Sequence, residues 1–276
     1  MTARTDREWI ENRPDGRRRI DLAELWQYRE LVGFFAIRDV KVRYKQAALG
    51  ASWAVLQPVA GAVVFTVLFG RLVKAPSDGV PYLLFAFAGV SLWSYFSSSI
   101  TNATSSLVGN VSLVTKVYFP RLAAPVAAVL PGLVDLGVAL VILAVLMVAF
   151  SWAPTLAILT LPFWILATVL LALGVGLGLA TLNVRYRDVK NAIGLFMQLW
   201  LFVSPVGYSS ELIHGNWRYL YYLNPMAGIV DGFRWSLFGR PTPTWFTAIS
   251  FSVLILALWG GCRLFAQGER RFADVI

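Results

Sequence analysis

Apolar residues run along this chain in long blocks, and the sparse charges between them mark where each block ends. A charge at mid-bilayer costs roughly 2.5–3.5 kcal/mol, so uncharged windows of sufficient length mark candidate membrane spans. Residues 49–70 form the first such window, which closes at Arg71. Residues 79–115 form the second; it is apolar from Pro81 to near Thr101, and its polar tail SSSITNATSSLVGN is expected to leave the bilayer. The third block starts at Leu122 and holds one acid, Asp135. Residues 136–184 then run for 49 positions without a charge. One helix of that length would measure about 74 Å, more than twice a ~30 Å hydrocarbon core. The chain must fold back, and Ser-Trp-Ala-Pro-Thr at 151–155 is the turn. The pattern therefore predicts spans at 122–150 and 155–182, a fifth at 191–210 and a sixth at 241–262.

Three stretches do not read as spans. Residues 1–19 mix six Arg with four acids around a Pro-Asp-Gly turn, and are expected to form a flexible cytoplasmic tail with no apolar signal-peptide core. In residues 20–48, Leu22, Leu25, Trp26, Val32, Phe35, Val40 and Tyr44 recur near helical spacing, with charges between them. This predicts an amphipathic helix, either lying in the cytoplasmic interface or packed on the cytoplasmic ends of the spans. Gly50 permits a sharp bend into the first span. Segment 211–240 is too polar to cross a membrane but is rich in aromatics, among them Trp217, Tyr219, Tyr221, Tyr222 and Phe233. Asn224-Pro225 is a helix start, Asn as cap and Pro at the first helical position. Met226, Val230, Phe233 and Leu237 would then share an apolar face, as short re-entrant helices in the outer leaflet.

Composition agrees. Of 276 residues, 58% are apolar and 14% charged, against roughly 25% charged in soluble domains, and mean hydropathy is +0.65. Disorder and a soluble globular fold are excluded, and six spans leave no room for a separate catalytic domain. The net charge of +9 is not a nucleic-acid footprint. Of 24 Lys and Arg, 19 fall on the side shared by both termini, which places the termini in the cytoplasm. Cys262 is the one cysteine, so the chain holds no internal disulfide and no multi-Cys metal site. His214 has no second His nearby and makes no metal site.

Candidate chemistry is sparse. Tyr82, Phe85, Gly89, Trp93 and Phe96 form one stripe on the second span; Phe65 and Phe69 pair on the first, and Phe196 and Trp200 on the fifth. Such stripes serve packing and interface belts, or else line a pathway on which sugar C–H faces slide. Gly174 and Gly178 are a small-xxx-small contact. Asp135, alone in its span, is a functional candidate without an assigned role. No G-x-x-x-x-G-K-[ST], H-E-x-x-H or G-x-S-x-G occurs. The chain reads as a passive pathway driven from outside. The loops 112–121 and 183–190 combine aromatic and basic residues, which suits a protein contact or anchoring at the membrane surface.

Five blocks carry a family resemblance: RDVKVRYKQAALGASWAVLQP (38–58), NxxLVTKVYFPR (110–121), NVRYRDV (183–189), NPMAGIVDGFR (224–234) and RRFADVI (270–276). In this order they resemble the permease subunits of type-2 ABC exporters of polysaccharides, which move O-antigen, teichoic acid or related lipid-linked glycans. The resemblance implies an all-α integral membrane subunit of the bacterial cytoplasmic membrane, with domains at 1–19 (tail), 20–48 (interface helix) and 49–276 (six-span permease). It implies a homodimer around a glycan channel, with two copies of an ABC ATPase that carry ATP and Mg; no cofactor is expected on this chain. The coupling segment would comprise Leu113, Lys116, Val117, Tyr118, Phe119, Pro120 and Arg121, with Arg185, Tyr186, Arg187 and Asp188 as a second contact. Phe65, Phe69, Tyr82, Phe85, Trp93, Phe96, Phe196 and Trp200 would line the channel. Trp217, Tyr221, Tyr222, Asn224, Pro225, Phe233 and Arg234 would form a periplasmic gate. Arg38, Lys41, Arg43 and Lys45 would attract the phosphates of the lipid-linked glycan at the cytoplasmic interface. A polytopic enzyme of glycan or lipid synthesis and an ATPase-independent carrier are the alternatives; the first would need clustered catalytic groups, where the chain has only scattered ones, and the second repeat symmetry or a relay of intramembrane charges, where the spans hold Asp135 alone.

Overall fold

Helix is the only regular structure among the described residues, as a backbone that must satisfy itself in lipid requires. The computed structural model describes residues 22–45, 52–110, 119–186, 188–240 and 242–275. The expected tail at 1–19 lies outside them. Among the described residues five helical segments are long and apolar enough to cross a bilayer: Val55–Leu72, Tyr82–Gly109, Ala123–Ala149, Leu156–Arg185 and Thr247–Glu269.

The interface region is α1 (Leu22–Gln27) followed by α2 (Arg29–Lys45). Val32 and Phe35 of α2 are buried against Leu107, Phe119 and Leu122, forming a small second core. Trp26, Phe34 and Ile37 remain exposed. The helix thus packs on the bundle with one face and offers an apolar face outward with another.

The first span is α3 (Ser52–Phe65), which continues as a π-helix over Thr66–Leu72. The second, α4 (Tyr82–Gly109), has 28 residues, about 42 Å. Its serine- and threonine-rich tail is helical as well, with Ser99, Thr104 and Ser106 buried in the bundle. The hydroxyls of Thr101, Thr104 and Ser106 bond back to carbonyls three or four residues earlier. The third span is divided at Leu130 into α5 (Ala123–Val129) and α6 (Pro131–Ala149), because Pro131 donates no hydrogen bond and is best placed at a helix start. The predicted turn at 151–155 is present, with Ser151 at φ 53°, before a 3-10 turn at Leu156–Thr160 and α7 (Leu161–Arg185).

The predicted fifth span is shorter than expected. Its helix, α8 (Val189–Val203), has 15 residues, about 22 Å, and the chain then leaves helical geometry. A short surface helix α9 (Trp217–Tyr221) and α10 (Pro225–Phe238) follow. α10 was expected to bury one apolar face; instead all its residues except Trp235 are buried. The last helix, α11 (Thr247–Val275), starts later than predicted, beyond Pro243.

α4 is the hub: α3, α5, α6, α7, α8 and α10 all pack against it. The other main contact joins α7 to α11. A Cβ added to Gly261 would stand 1.9 Å from the Gly174 carbonyl oxygen. Gly174 is therefore a contact point as predicted, and its counterpart is Gly261, whose lack of a side chain lets two backbones touch.

Candidate functional site

The backbone between α8 and α10 has the greatest need of partners. Beyond Val203 the chain leaves the helix beside the Tyr82 end of α4, and the carbonyls of 202–207, which no further helical turn serves, would be costly if left free. Each of those carbonyls has a donor. Tyr208 hydroxyl serves Phe202 (3.2 Å), the Asn224 amide serves Val203 (3.3 Å), and Val206 N–H serves Ser204 (2.7 Å). Arg234 serves Pro205 through Nη1 (2.5 Å) and Val206 through Nη2 (2.6 Å), and Tyr82 hydroxyl serves Gly207.

Arg234 organises this cluster. It is 1% exposed, and its guanidinium carbon stands 3.5 Å from the Phe85 ring centroid. Nη2 and Nε also reach the Phe85 carbonyl, at 3.1 and 3.3 Å. Gly89 makes the room: a Cβ there would lie 2.5 Å from Nη2 and 2.6 Å from the Val206 oxygen. Burial lowers the Arg234 pKa to about 10, against the pull of Asp231 and Asp78, so the group stays charged at neutral pH. Asp231, one turn earlier, is fully buried and accepts from the Tyr222 hydroxyl at 2.8 Å. Burial pushes its carboxyl up to about 6, opposed by hydrogen bonds and by Arg234. Burial likewise pushes the Tyr222 hydroxyl up to about 12, aided by Asp231. A cavity of about 620 Å³ opens beside them, lined in part by Asp78, Arg218, Tyr222 and Arg240.

Asn224 performs the predicted cap, accepting from Met226 N–H at 3.1 Å. It also accepts from Trp200 Nε1 at 2.9 Å and donates to Ser204 Oγ, which ties α10 to the end of α8. Pro225, Tyr222 and Phe233 around it are buried, whereas Trp217 is exposed on α9 and Tyr221 is half-buried beside Tyr208. The residues expected to act as a gate therefore divide into a buried latch and a surface helix.

The aromatic stripe divides in the same way. Phe85, Trp93 and Phe96 lie in the subunit core. Trp200 meets Trp93 and Phe96 edge-on, at 6.3 and 5.2 Å. Buried rings present no wall to a channel, so these three hold the fold. Phe65 and Phe69 stack at 5.5 Å, partly accessible, and Phe196 is half exposed beside Trp200.

The Gly109 end of α4 holds the other cluster. Arg38 donates to Asp39 (2.9 Å) and to Asn110 (3.1 Å). Arg43 forms an ion pair with Asp135, which also accepts from the Tyr44 hydroxyl. Burial and that hydrogen bond push the Tyr44 hydroxyl up to about 12. Lys41 and Lys45 are exposed. The partners of Asp135 escaped the sequence reading; the usable signal was that an acid inside a span demands a cation, and Arg43 stands on the neighbouring segment. A cavity of about 290 Å³ lies between α2, α4 and α5, with Arg38 and Arg43 on its wall.

Of the expected coupling residues, Leu113, Lys116, Val117, Tyr118 and Arg187 lie outside the described residues. Phe119 is buried edge-on against Phe35 at 5.8 Å, Pro120 is buried, and Arg121 donates to the Glu269 carbonyl. Phe119 thus contacts α2, and Arg121 contacts α11. Arg185, Tyr186 and Asp188 are exposed.

The family profile described as ABC-2 type transporter matches residues 30–238. The chain belongs to this family. The match begins in α2 and ends with α10, so both polar clusters lie within the ABC-2 region. With five membrane-length helices, membership makes this a multi-pass membrane protein with a transport role. The chain is similar to the O-antigen export system permease protein RfbA of Myxococcus xanthus, 27% identical over 92% of this chain and 98% of the relative. A protein of the same description from Klebsiella pneumoniae is 26% identical over 87% of this chain and 92% of its own length. The polysialic acid transport protein KpsM of Escherichia coli is 20% identical over 71% of this chain and 76% of its own.

Proposed function

We propose that this ABC-2 chain is the membrane-spanning subunit of an ATP-driven exporter that moves lipid-linked polysaccharide out of the cytoplasm. It works as a pair of copies with two ATPase subunits, which hold ATP and Mg; this chain needs no cofactor. The cargo follows from the relatives, whose names give O-antigen and polysialic acid and whose similarity covers most of the chain. The observation that carries the assembly is the apolar face left open by two spans. On α3 and its extension Val63, Val64, Val67 and Leu68 are exposed, and on α8 Leu195, Phe196, Leu199 and Phe202. Spans so little covered within one copy fit a path between two copies, with Phe65, Phe69 and Phe196 offering ring faces to passing sugars.

In this reading the chain crosses six times. α8 and the carbonyl-capped stretch 204–207 together make the fifth crossing, since non-helical backbone is tolerated at membrane depth where protein satisfies it. Segment 211–240 is then the external gate, with α10 re-entrant, and both termini are cytoplasmic. Arg185, Tyr186 and Asp188 receive the ATPase together with the segment 113–121. The test is reconstitution of the chain with an ATPase subunit in proteoliposomes. ATP-dependent appearance of lipid-linked glycan on the far side is expected; ATP hydrolysis without glycan movement would refute the assignment.

A further inference from the structure

The cavity at the Gly109 end of α4 has an unusual charge arrangement. Its two guanidiniums each already hold a carboxylate: Arg38 pairs with Asp39, and Arg43 with Asp135. Asp39 stands on the cavity wall beside Arg38, but Asp135 is not among the lining residues and takes Arg43 from another side. Both members of that pair are only about two-thirds covered, so an incoming anion can reach the guanidinium. The wall also offers Asn102, Ser105 and Asn110, neutral groups of the kind that bond phosphate oxygens. At about 290 Å³ the cavity is at the lower limit of ligand pockets, roughly 300–1,000 Å³. That is room for a diphosphate headgroup, with the lipid and the sugar chain attached to it left outside the cavity.

We propose that this cavity is a site for the diphosphate of a lipid-borne cargo, and that the diphosphate takes Arg43 away from Asp135. This rests on the exporter function proposed above and adds a residue-level event to it. Arg43–Asp135 is an ion pair between α2 and α6, and Tyr44 reinforces it. An anion of higher charge with more acceptor oxygens outcompetes a single carboxylate for a guanidinium. Once Arg43 turns to the ligand, α2 loses its charge contact with the third span. The Tyr44 hydroxyl remains to hydrogen-bond the carboxylate left behind. Asp135 thus acts as resident competitor: in the empty subunit it neutralises Arg43 and holds α2 closed on the bundle.

The test uses the full complex with its ATPase subunits in nanodiscs and farnesyl diphosphate as probe. Asp135→Asn removes the competitor and is expected to bind the probe about tenfold more tightly. Tyr44→Phe leaves a displaced Asp135 carboxylate without a donor, and is expected to bind about threefold more weakly. Both variants remove a contact between α2 and α6, so a merely structural role would move them in the same direction. Arg43→Ala is expected to lose about tenfold and to make Asp135→Asn silent in the double variant. Hydrogen exchange across 29–45 should quicken when the probe binds the unmodified complex. Unchanged or weaker binding by Asp135→Asn, or slower exchange in that segment, overturns the proposal. Equal affinity for inorganic diphosphate overturns its assignment to a lipid-borne group, and equal competition by phosphatidylglycerol overturns its selectivity for diphosphate. Failure of ATP-driven export would sink the exporter reading instead, whatever the binding signs.

Discussion

Replacing Arg234 by Met keeps the length of the side chain and removes its donors. The structure allows the effect to be worked out. The carbonyls of Pro205 and Val206 each lose their partner, and a buried carbonyl left unsatisfied costs about 1–3 kcal/mol. The stacked contact with Phe85, at 3.5 Å, contributes about 2 kcal/mol when desolvated. Against this, the variant no longer has to desolvate a guanidinium. Breaking a buried charged contact from one side leaves a net loss of about 3–5 kcal/mol, or a fall in Tm on the order of 10 °C. Arg234→Lys should fall between the two, since a point ammonium on a shorter stem cannot serve three carbonyls in a fork.

The assay is heating of the purified complex in nanodiscs, followed by the fraction that stays monodisperse on size exclusion. Gly89→Ala supplies a cross-check, because its Cβ would occupy the space of Nη2 and of the Val206 oxygen. It should destabilise alone, and should cost less in the Arg234→Met background, where one of the two clashes is gone. If Arg234→Met melts with the unmodified protein, the carbonyls of 205 and 206 do not depend on that side chain and the latch is refuted.

Three further outcomes follow from the geometry. Gly261→Leu puts a side chain where even a Cβ meets the Gly174 carbonyl at 1.9 Å; α7 and α11 must separate, and folded protein recovered from membranes should drop sharply. Folded Asp231 keeps its proton up to about pH 6, whereas the unfolded group releases it near 3.8. The folded state therefore binds more protons in that window, and stability falls as pH rises from about 4 to 6; thermal melts of Asp231→Asn should gain over the unmodified protein at pH 7.5 and lose that advantage at pH 4. Arg185→Glu with Tyr186→Ala should leave the melting temperature unchanged and abolish glycan-coupled ATP hydrolysis, and intact coupling would remove this exposed patch from the ATPase interface.

Much of the fold was legible because a membrane makes charges costly. The gaps between charges located most of the helices and the turn near Pro154, and the cap signature Asn224-Pro225 marked the start of α10. What stayed hidden depended on contacts far apart in sequence. Nothing local to Gly174 names Gly261 as its counterpart. Apolar periodicity cannot tell a ring facing a channel from one facing a neighbouring helix, so Phe85, Trp93 and Phe96 read as a possible wall when they are core. Arg234 was expected in the periplasmic gate; its burial becomes understandable only once the carbonyls of 205 and 206 are seen beside it. The short fifth helix was hidden for a related reason. Residues 204–208 carry no charge to close the window, and Pro205 and Gly207 are the local signs that they are not helical.

The π-helical stretch at Thr66–Leu72 carries a mechanical consequence for the first span. A π-turn holds one residue more between hydrogen-bonded partners than an α-turn does. That surplus residue is a unit of slip. Passing it along the helix rotates the segment it crosses by one residue, about 100°, while every backbone bond is remade one position over. Around it the fit is specific to one setting: Phe65 and Phe69 bracket Gly207, and Gly70 lies against the Tyr82 ring. A single step would bring a different side chain to each of those contacts. Those contacts therefore pin the first span to one rotational setting.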